Sequence, residues 1–185
     1  MRLLFATGNA HKAAELQEIL GATVEIVAQE TGVEETGSTF EENALLKARA
    51  LATSTGELAV ADDSGIEIAR LGGAPGIHSA RWADADGPVA KTLRELDGVP
   101  LAERTCRYVC AAAAVWPDGS EVVMRGEVEG VVVDAPRGKG GFGYDPIVAP
   151  VEGDGRTFAE MTAAEKHAIS HRARAFLALL PHVSL

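Results

Sequence analysis

The chain opens on "RLLFATG", a short apolar run that reads as a buried strand. The period then changes. In "NAHKAAELQEILG", Ala13, Leu16, Ile19 and Leu20 fall at helical spacing, and Gly21 stands as a stop. "TVEIVA" predicts a second strand, polar "QETGVEETGST" a loop, and "FEENALLKARALATSTG" a second amphipathic helix. "ELAVADDSG" reads as a short strand that ends in two acids and a turn, followed by a Gly- and Pro-rich loop in "IEIARLGGAPGIHSARWAD". "GPVAKTLRELDG" has the look of a short helix. From "RTCRYVCAAAAVW" to "EVVMRGEVEGVVVDAP" the pattern predicts a β-hairpin turning at "PDGS", and "TAAEKHAISHRARAFLALL" closes the chain as helix. A βαβ-like first half and an antiparallel middle predict an α/β fold: one mixed sheet in two lobes, flanked by helices, with a substrate cleft.

A length of 185 residues suits a single domain, 1–185, with a sizeable core. Its formal net charge of −10 disfavours a general grip on a nucleic-acid backbone. A phosphate ligand would therefore be small and held locally, and the 27 acidic side chains make a divalent cation the natural go-between. "LLFA" is far too short for a signal peptide or membrane span, so the expectation is a soluble cytoplasmic protein with no membrane partner. Cys106 and Cys110 lie on one strand about 13 Å apart at roughly 3.3 Å per residue, too far for a disulfide. With no second cysteine pair, a zinc site lacks its ligands.

Four stretches carry candidate chemistry. "TGNAHK" sets a tight turn between strand and helix, a place suited to an anion; Lys12 adds charge to the positive end of the helix dipole. The plainer alternative is a turn in which Asn9 caps the helix. Thr39 and Glu42 have capping-box spacing, yet Glu41, Glu42, Asp62 and Asp63 also form a carboxylate set suited to Mg²⁺. Spacing does not choose between Asp62 and Asp63, since neighbouring side chains on a strand face opposite ways. An ordinary acidic turn is the alternative there. In "GKGGFGYDP", Phe142 or Tyr144 could stack on a planar ring, against the alternative of a flexible loop with a solvated Lys139. On one continuous helix Lys166 and His171 would stand about 140° apart. Thr162 and Glu165 form a second capping box, and Ser170 could cap a new helix from His171, a break that would let Lys166, Ser170, His171 and Arg172 converge.

Taken together, "TGNAHK", "TFEENALLKARA", "ADDSGIEIARLGGAPGIHSARWA", "GFGYDP" and "EKHAISHRARA" resemble the inosine/xanthosine triphosphate pyrophosphatase family, from Leu3 to about Leu180. The resemblance implies a mixed α/β fold in two lobes, commonly a homodimer. It implies Mg²⁺-dependent hydrolysis of non-standard purine nucleoside triphosphates (ITP, dITP, XTP) to the monophosphate and pyrophosphate, clearing deaminated purines from the nucleotide pool. It also implies a site, residue by residue: Thr7, Gly8, Asn9, Ala10, His11 and Lys12 on the phosphates; Glu42 and Asp63 on the metal; and Asp63 as general base. Ser64 matches a substrate contact, Phe142, Gly143, Tyr144 and Asp145 the nucleoside-binding turn, and Lys166, His171 and Arg172 the base-reading cluster. Ser79 and Arg81 fall where the family has "YSARYA", and His78 and Trp82 depart mildly from it. The rival readings are a pyrophosphatase for other modified nucleotides and a nucleotide sensor without catalysis.

Overall fold

The computed structural model describes residues 1–183. A six-stranded sheet runs in the order β2-β1-β3-β4-β5-β6. Its strands are β1 (Arg2–Ala6), β2 (Glu25–Gln29), β3 (Ala59–Ile68), β4 (Thr105–Val115), β5 (Glu121–Val132) and β6 (Val148–Pro150). The helices are α1 (Ala10–Leu20), α2 (Phe40–Thr55), α3 (Gly87–Glu95), α4 (Ala163–Ile169) and α5 (His171–Val183). β1 pairs in parallel with β2, from Arg2 opposite Glu25 to Ala6 opposite Gln29, and in parallel with β3. β5 and β6 pair antiparallel. The sheet is mixed, as the pattern predicts, and β4 and β5 are neighbours joined at "PDGS", where the Gly119 amide donates to the Trp116 carbonyl.

The chain forms two compact units, and β3, β4 and β5 are long enough to contribute to both. The first comprises Met1–Asp63, Cys110–Gly126 and the segment from His171 on. Leu3 and Phe5 from β1, Leu16 and Leu20 from α1, and Phe176 and Leu179 from α5 build its core, with the Phe5 and Phe176 rings edge to face at 5.7 Å. β1 is buried on both faces, which is why its sequence is a continuous apolar run without alternation. The second unit, Ser64–Val109 with Glu127–Ser170, centres on Ile66, Ile68, Tyr108, Tyr144, Ile147 and Phe158. Cys106 and Cys110 are free and buried, each in a different core.

One element departs from its expected bounds. β3 does not stop at the acids but runs on to Ile68, so Asp62 and Asp63 are interior strand residues and no acidic turn exists. Two buried carboxylates are tolerated there because each has partners, described below. Beyond β3 the Gly- and Pro-rich stretch carries two short 3₁₀ turns, Ala69–Leu71 and Gly76–Arg81, and the Ser79 hydroxyl ties the second back by accepting from the Ile66 amide at 2.9 Å.

Candidate active site

Each helix start in the first unit is fixed by its own sequence. The Asn9 side-chain Oδ1 accepts the His11 and Lys12 amides at 3.0 and 3.3 Å, while the Thr7 hydroxyl accepts the Asn9 amide. The capping alternative for Asn9 is thus realised, and Gly8, Asn9, Ala10 and His11 lie exposed around it. At α2, Thr39 caps the Glu42 amide at 3.1 Å. The Glu42 carboxylate reaches past the cap and accepts the Ser38 amide and hydroxyl at 2.6 and 2.8 Å, so the box closes one residue earlier than its spacing predicts. Those Ser38 bonds hold the Glu42 carboxyl below its ordinary pKa.

Alternation along β3 sends Asp62 and Asp63 into opposite surroundings. Asp62, 1 % exposed, sits 3.1 Å from the Lys12 ammonium and 3.1 Å from Nη2 of Arg172. Arg172 also pairs with Glu15. Burial pushes the Asp62 carboxyl up, but Lys12, Arg172 and Lys47 outweigh it and hold the group well below the carboxylate range. The cluster sets two cations, Lys12 and Arg172, against two carboxylates, Asp62 and Glu15.

Asp63 has the reverse balance. The Asn43 amide donates to its Oδ2 at 3.0 Å, and Lys47 stands 3.9 Å from Oδ1 while bonding Glu35 at 2.5 Å. Here burial dominates the opposing lysines, and Asp63 is raised above its ordinary pKa. The Lys47 ammonium is pulled down by burial, yet Asp62, Asp63 and Glu35 together hold it above its usual value. Asn43 and Lys47 lie one turn apart on α2 and so share a face. The Gly37 amide donates to Asn43 Oδ1 at 2.8 Å, which aims the Asn43 Nδ2 group at Asp63.

In the second unit the Asp145 carboxylate is the hub. Its Oδ2 accepts the Lys166 ammonium at 2.7 Å and the Phe142 amide at 3.0 Å, and its Oδ1 accepts the Tyr108 hydroxyl at 3.1 Å. Lys166 lies 4.9 Å over the Phe142 ring. Gly141 is obligatory beneath this turn: its φ is +65°, and a Cβ there would meet Asp145 Oδ2 at 2.0 Å. Tyr144 is not a stacking platform. It is core, 7 % exposed, and its hydroxyl donates to the Ser79 carbonyl at 2.8 Å. The helix break at Ser170 is present, with the Thr162 and Glu165 capping box opening α4 and Ser170 ending it. Lys166 finds its partner in the second unit, whereas Arg172, expected among the base-reading donors, is buried among acids of the first. Ser64 is the first residue of the second unit, and His171 opens α5 in a buried position.

Of the expected residues, Lys12 and Arg172 meet at Asp62, Asp63 meets Asn43 and Lys47, and Phe142 and Lys166 meet at Asp145. The family model of the Ham1 family matches residues 3–182. This chain belongs to the Ham1 family. Ham1 relatives include the dITP/XTP pyrophosphatase of Symbiobacterium thermophilum, 52% identical over 94% of this chain and 90% of that protein. That of Streptomyces coelicolor is 50% identical over 98% and 96%. Among solved structures, a HAM1 protein from Coxiella burnetii superposes with a TM-score of 0.86 at 38% identity, covering 100% of this chain and 98% of that one. The nucleoside-triphosphatase / dITP/XTP pyrophosphatase of Mycobacterium abscessus gives 0.75 at 44%, covering 98% and 100%.

Five residues of these Ham1 clusters go unnoticed in the sequence: Glu15, Glu35, Asn43, Lys47 and Tyr108. Glu15 had a signal, because it lies three residues after Lys12 and hence on the same helical face. Asn43 and Lys47 had the same kind of signal only toward each other, four residues apart on α2. Tyr108 had only its place on the face of β4 that carries the two cysteines.

Proposed function

We propose that this chain is a Mg²⁺-dependent nucleoside-triphosphate pyrophosphatase that cleaves ITP, dITP and XTP to the monophosphate and pyrophosphate. The observation that carries this reading is the geometry on β3, where Asp62 is held between the Lys12 and Arg172 cations while Asp63 next to it meets the Asn43 amide and Lys47, with burial raising its pKa. A raised carboxylate is the better proton acceptor near neutral pH. Asp63 takes a proton from the attacking water as its oxygen bonds to the α-phosphorus, and the bond from that phosphorus to the bridging oxygen breaks to release pyrophosphate. Asn43 and Lys47 orient Asp63 for this role. Lys12, fixed by Asp62, meets the phosphate oxygens at the positive end of α1. Arg172 we assign to holding Asp62 in place, given its partners.

The donor set fits a hard divalent cation. Among the described residues no group of three or more His, Cys, Asp or Glu gathers as a cage, and Mg²⁺ characteristically takes one or two carboxylates and completes its shell with water and substrate phosphates. Glu42, whose carboxyl the Ser38 bonds hold below its ordinary pKa, and Asp63 are the residues that would hold it. When bound, Mg²⁺ would supply the positive charge that an evenly balanced cluster of Lys12, Arg172, Asp62 and Glu15 lacks for a triphosphate.

Selectivity follows from deamination, which replaces the 6-amino donor of adenine by a 6-oxo acceptor. Lys166 is a donor only, so it accommodates the oxo group and opposes the amino group. Leaving such buried donors unpaired discriminates by roughly 10⁴-fold, and ATP is rejected on that scale. The test is pyrophosphate release from ITP, dITP, XTP, GTP and ATP with and without Mg²⁺. Inorganic phosphate with a diphosphate, or saturable binding with no turnover, overturns the reading.

A further inference from the structure

Tyr108 lies outside every motif that marks the family resemblance, yet it touches the hub of the second unit. Its hydroxyl donates to Asp145 Oδ1 at 3.1 Å, while the other oxygen of that carboxylate takes Lys166 and the Phe142 amide. Tyr108, Asp145 and Lys166 are 5 %, 3 % and 5 % exposed, so the ion pair has little solvent to repay its desolvation. A buried pair of this kind depends on further hydrogen bonds to the lone pairs that the cation leaves over. Tyr108 supplies one from a rigid mount: it sits within β4, and its ring packs on Phe158 at 5.6 Å with a tilt of 52°. Burial and the neighbouring Asp145 charge push its phenol well above the ordinary value, so it remains a donor throughout the physiological range.

We propose that Tyr108 is a positioning residue for base selectivity: its hydroxyl fixes the rotation of the Asp145 carboxylate, and through it the placement of Lys166 and the Phe142 turn. This inference rests on the reading of Lys166 as the donor to a 6-oxopurine. Without the hydroxyl, Oδ1 is a buried acceptor that has lost a donor, and the carboxylate turns toward whatever satisfies it. Lys166 then loses its fixed direction, and a donor that wanders discriminates poorly between an oxo and an amino group. The strand and the ring stacking do not need the hydroxyl.

The experiment is Tyr108→Phe, which keeps the ring on Phe158 and removes only the donor. In the Mg²⁺-supplemented pyrophosphate assay, KM for ITP should rise roughly tenfold, the scale of one hydrogen bond to a charged group. The kcat should stay within about twofold, and the ITP-to-ATP ratio of kcat/KM should narrow. In the background of Asp145→Asn, adding Tyr108→Phe should change that ratio no further, because the hydroxyl acts through the carboxylate. An unchanged KM and ratio in Tyr108→Phe, or full additivity in the double variant, overturns the inference and leaves the proposed activity standing. Equal losses of ITP and ATP turnover with a lowered Tm mark a merely structural role and also overturn it. Wild-type protein that neither binds nor cleaves ITP brings down both the functional reading and this inference.

Discussion

Asp62 and Asp63 differ by one position, yet Asp62 is paired to Lys12 and Arg172 while Asp63 takes the Asn43 amide. Asp63→Asn removes charge and basicity while keeping shape, and kcat should fall by about 10²-fold or more, the usual loss for a positioned proton acceptor. Its Tm should hold, since burial opposes the charged form of Asp63 in the folded protein. Asp62→Asn should do the opposite kind of damage. It strands Arg172 and Lys12 without their shared carboxylate, at a cost of about 3–5 kcal/mol read from urea unfolding. The pH dependences separate in the same way. The proposed base role needs Asp63 ionised, so with its pKa raised the acid limb of kcat/KM should lie above the ordinary carboxylate value of about 3.9. Asp62 is depressed, so its stabilising contribution is present above the unfolded carboxylate pKa and is lost only as pH falls below it. A limb that stays in place in an active Asp62→Asn variant and vanishes with Asp63→Asn assigns the base; the reverse pattern refutes the assignment.

At the scale of elements, α5 reaches its place by close approach to β5. Gly126 sits under the first turn of α5, and a Cβ there would come within 2.1 Å of the His171 carbonyl oxygen and 2.5 Å of the Ala175 amide nitrogen. Both are backbone atoms, so the helix start must move as a body. Gly126→Ala should therefore cost about 1–3 kcal/mol, as overpacked cores do. It should also lower kcat/KM, because the same turn delivers Arg172 to Asp62 and Glu15. Urea unfolding and the pyrophosphate assay on one preparation check both effects. A variant as stable and active as wild type shows that α5 can shift without disturbing Arg172. The glycine at this position in β5 is thus read as an approach site, the use a strand interior commonly makes of it.

For the molecule as a whole, each unit carries an apolar core of its own. Among the described residues there is no gathering of three ligands that could bind a cation tightly without substrate. Chelation should then separate function from folding. Excess EDTA should abolish pyrophosphate release and leave the thermal midpoint unchanged, with activity restored by added Mg²⁺. Unfolding on chelation points instead to a structural metal, and turnover that persists removes the metal from the reaction. The formal charge of −10 belongs to this scale too. Against that overall charge, Lys12 and Lys166 supply positive charge locally, within clusters already balanced by acids.

What the sequence by itself determined is what local chemistry controls. Asn9, Thr39 and Thr162 cap the helices they precede, Gly21 ends α1, "PDGS" turns the β4–β5 hairpin and Ser170 divides the last two helices. Such features are legible because the donor and acceptor lie within a few residues of each other, so spacing alone carries the geometry. The mixed sheet is legible for a similar reason, since period and run length distinguish a buried parallel strand from a hairpin. What only the tertiary structure decided is which charge meets which. Arg172 finds Glu15 across 157 positions and Asp62 across 110, and Tyr108 finds Asp145 across 37. No spacing rule reaches that far. The contrast between Asp62 and Asp63 had to wait for those partners, because the pKa of a carboxylate buried within a strand is set by its burial and by the charges and donors the fold brings to it. The continuation of β3 through both acids had to wait as well: a strand keeps buried carboxylates only when the fold brings cations and amides to meet them.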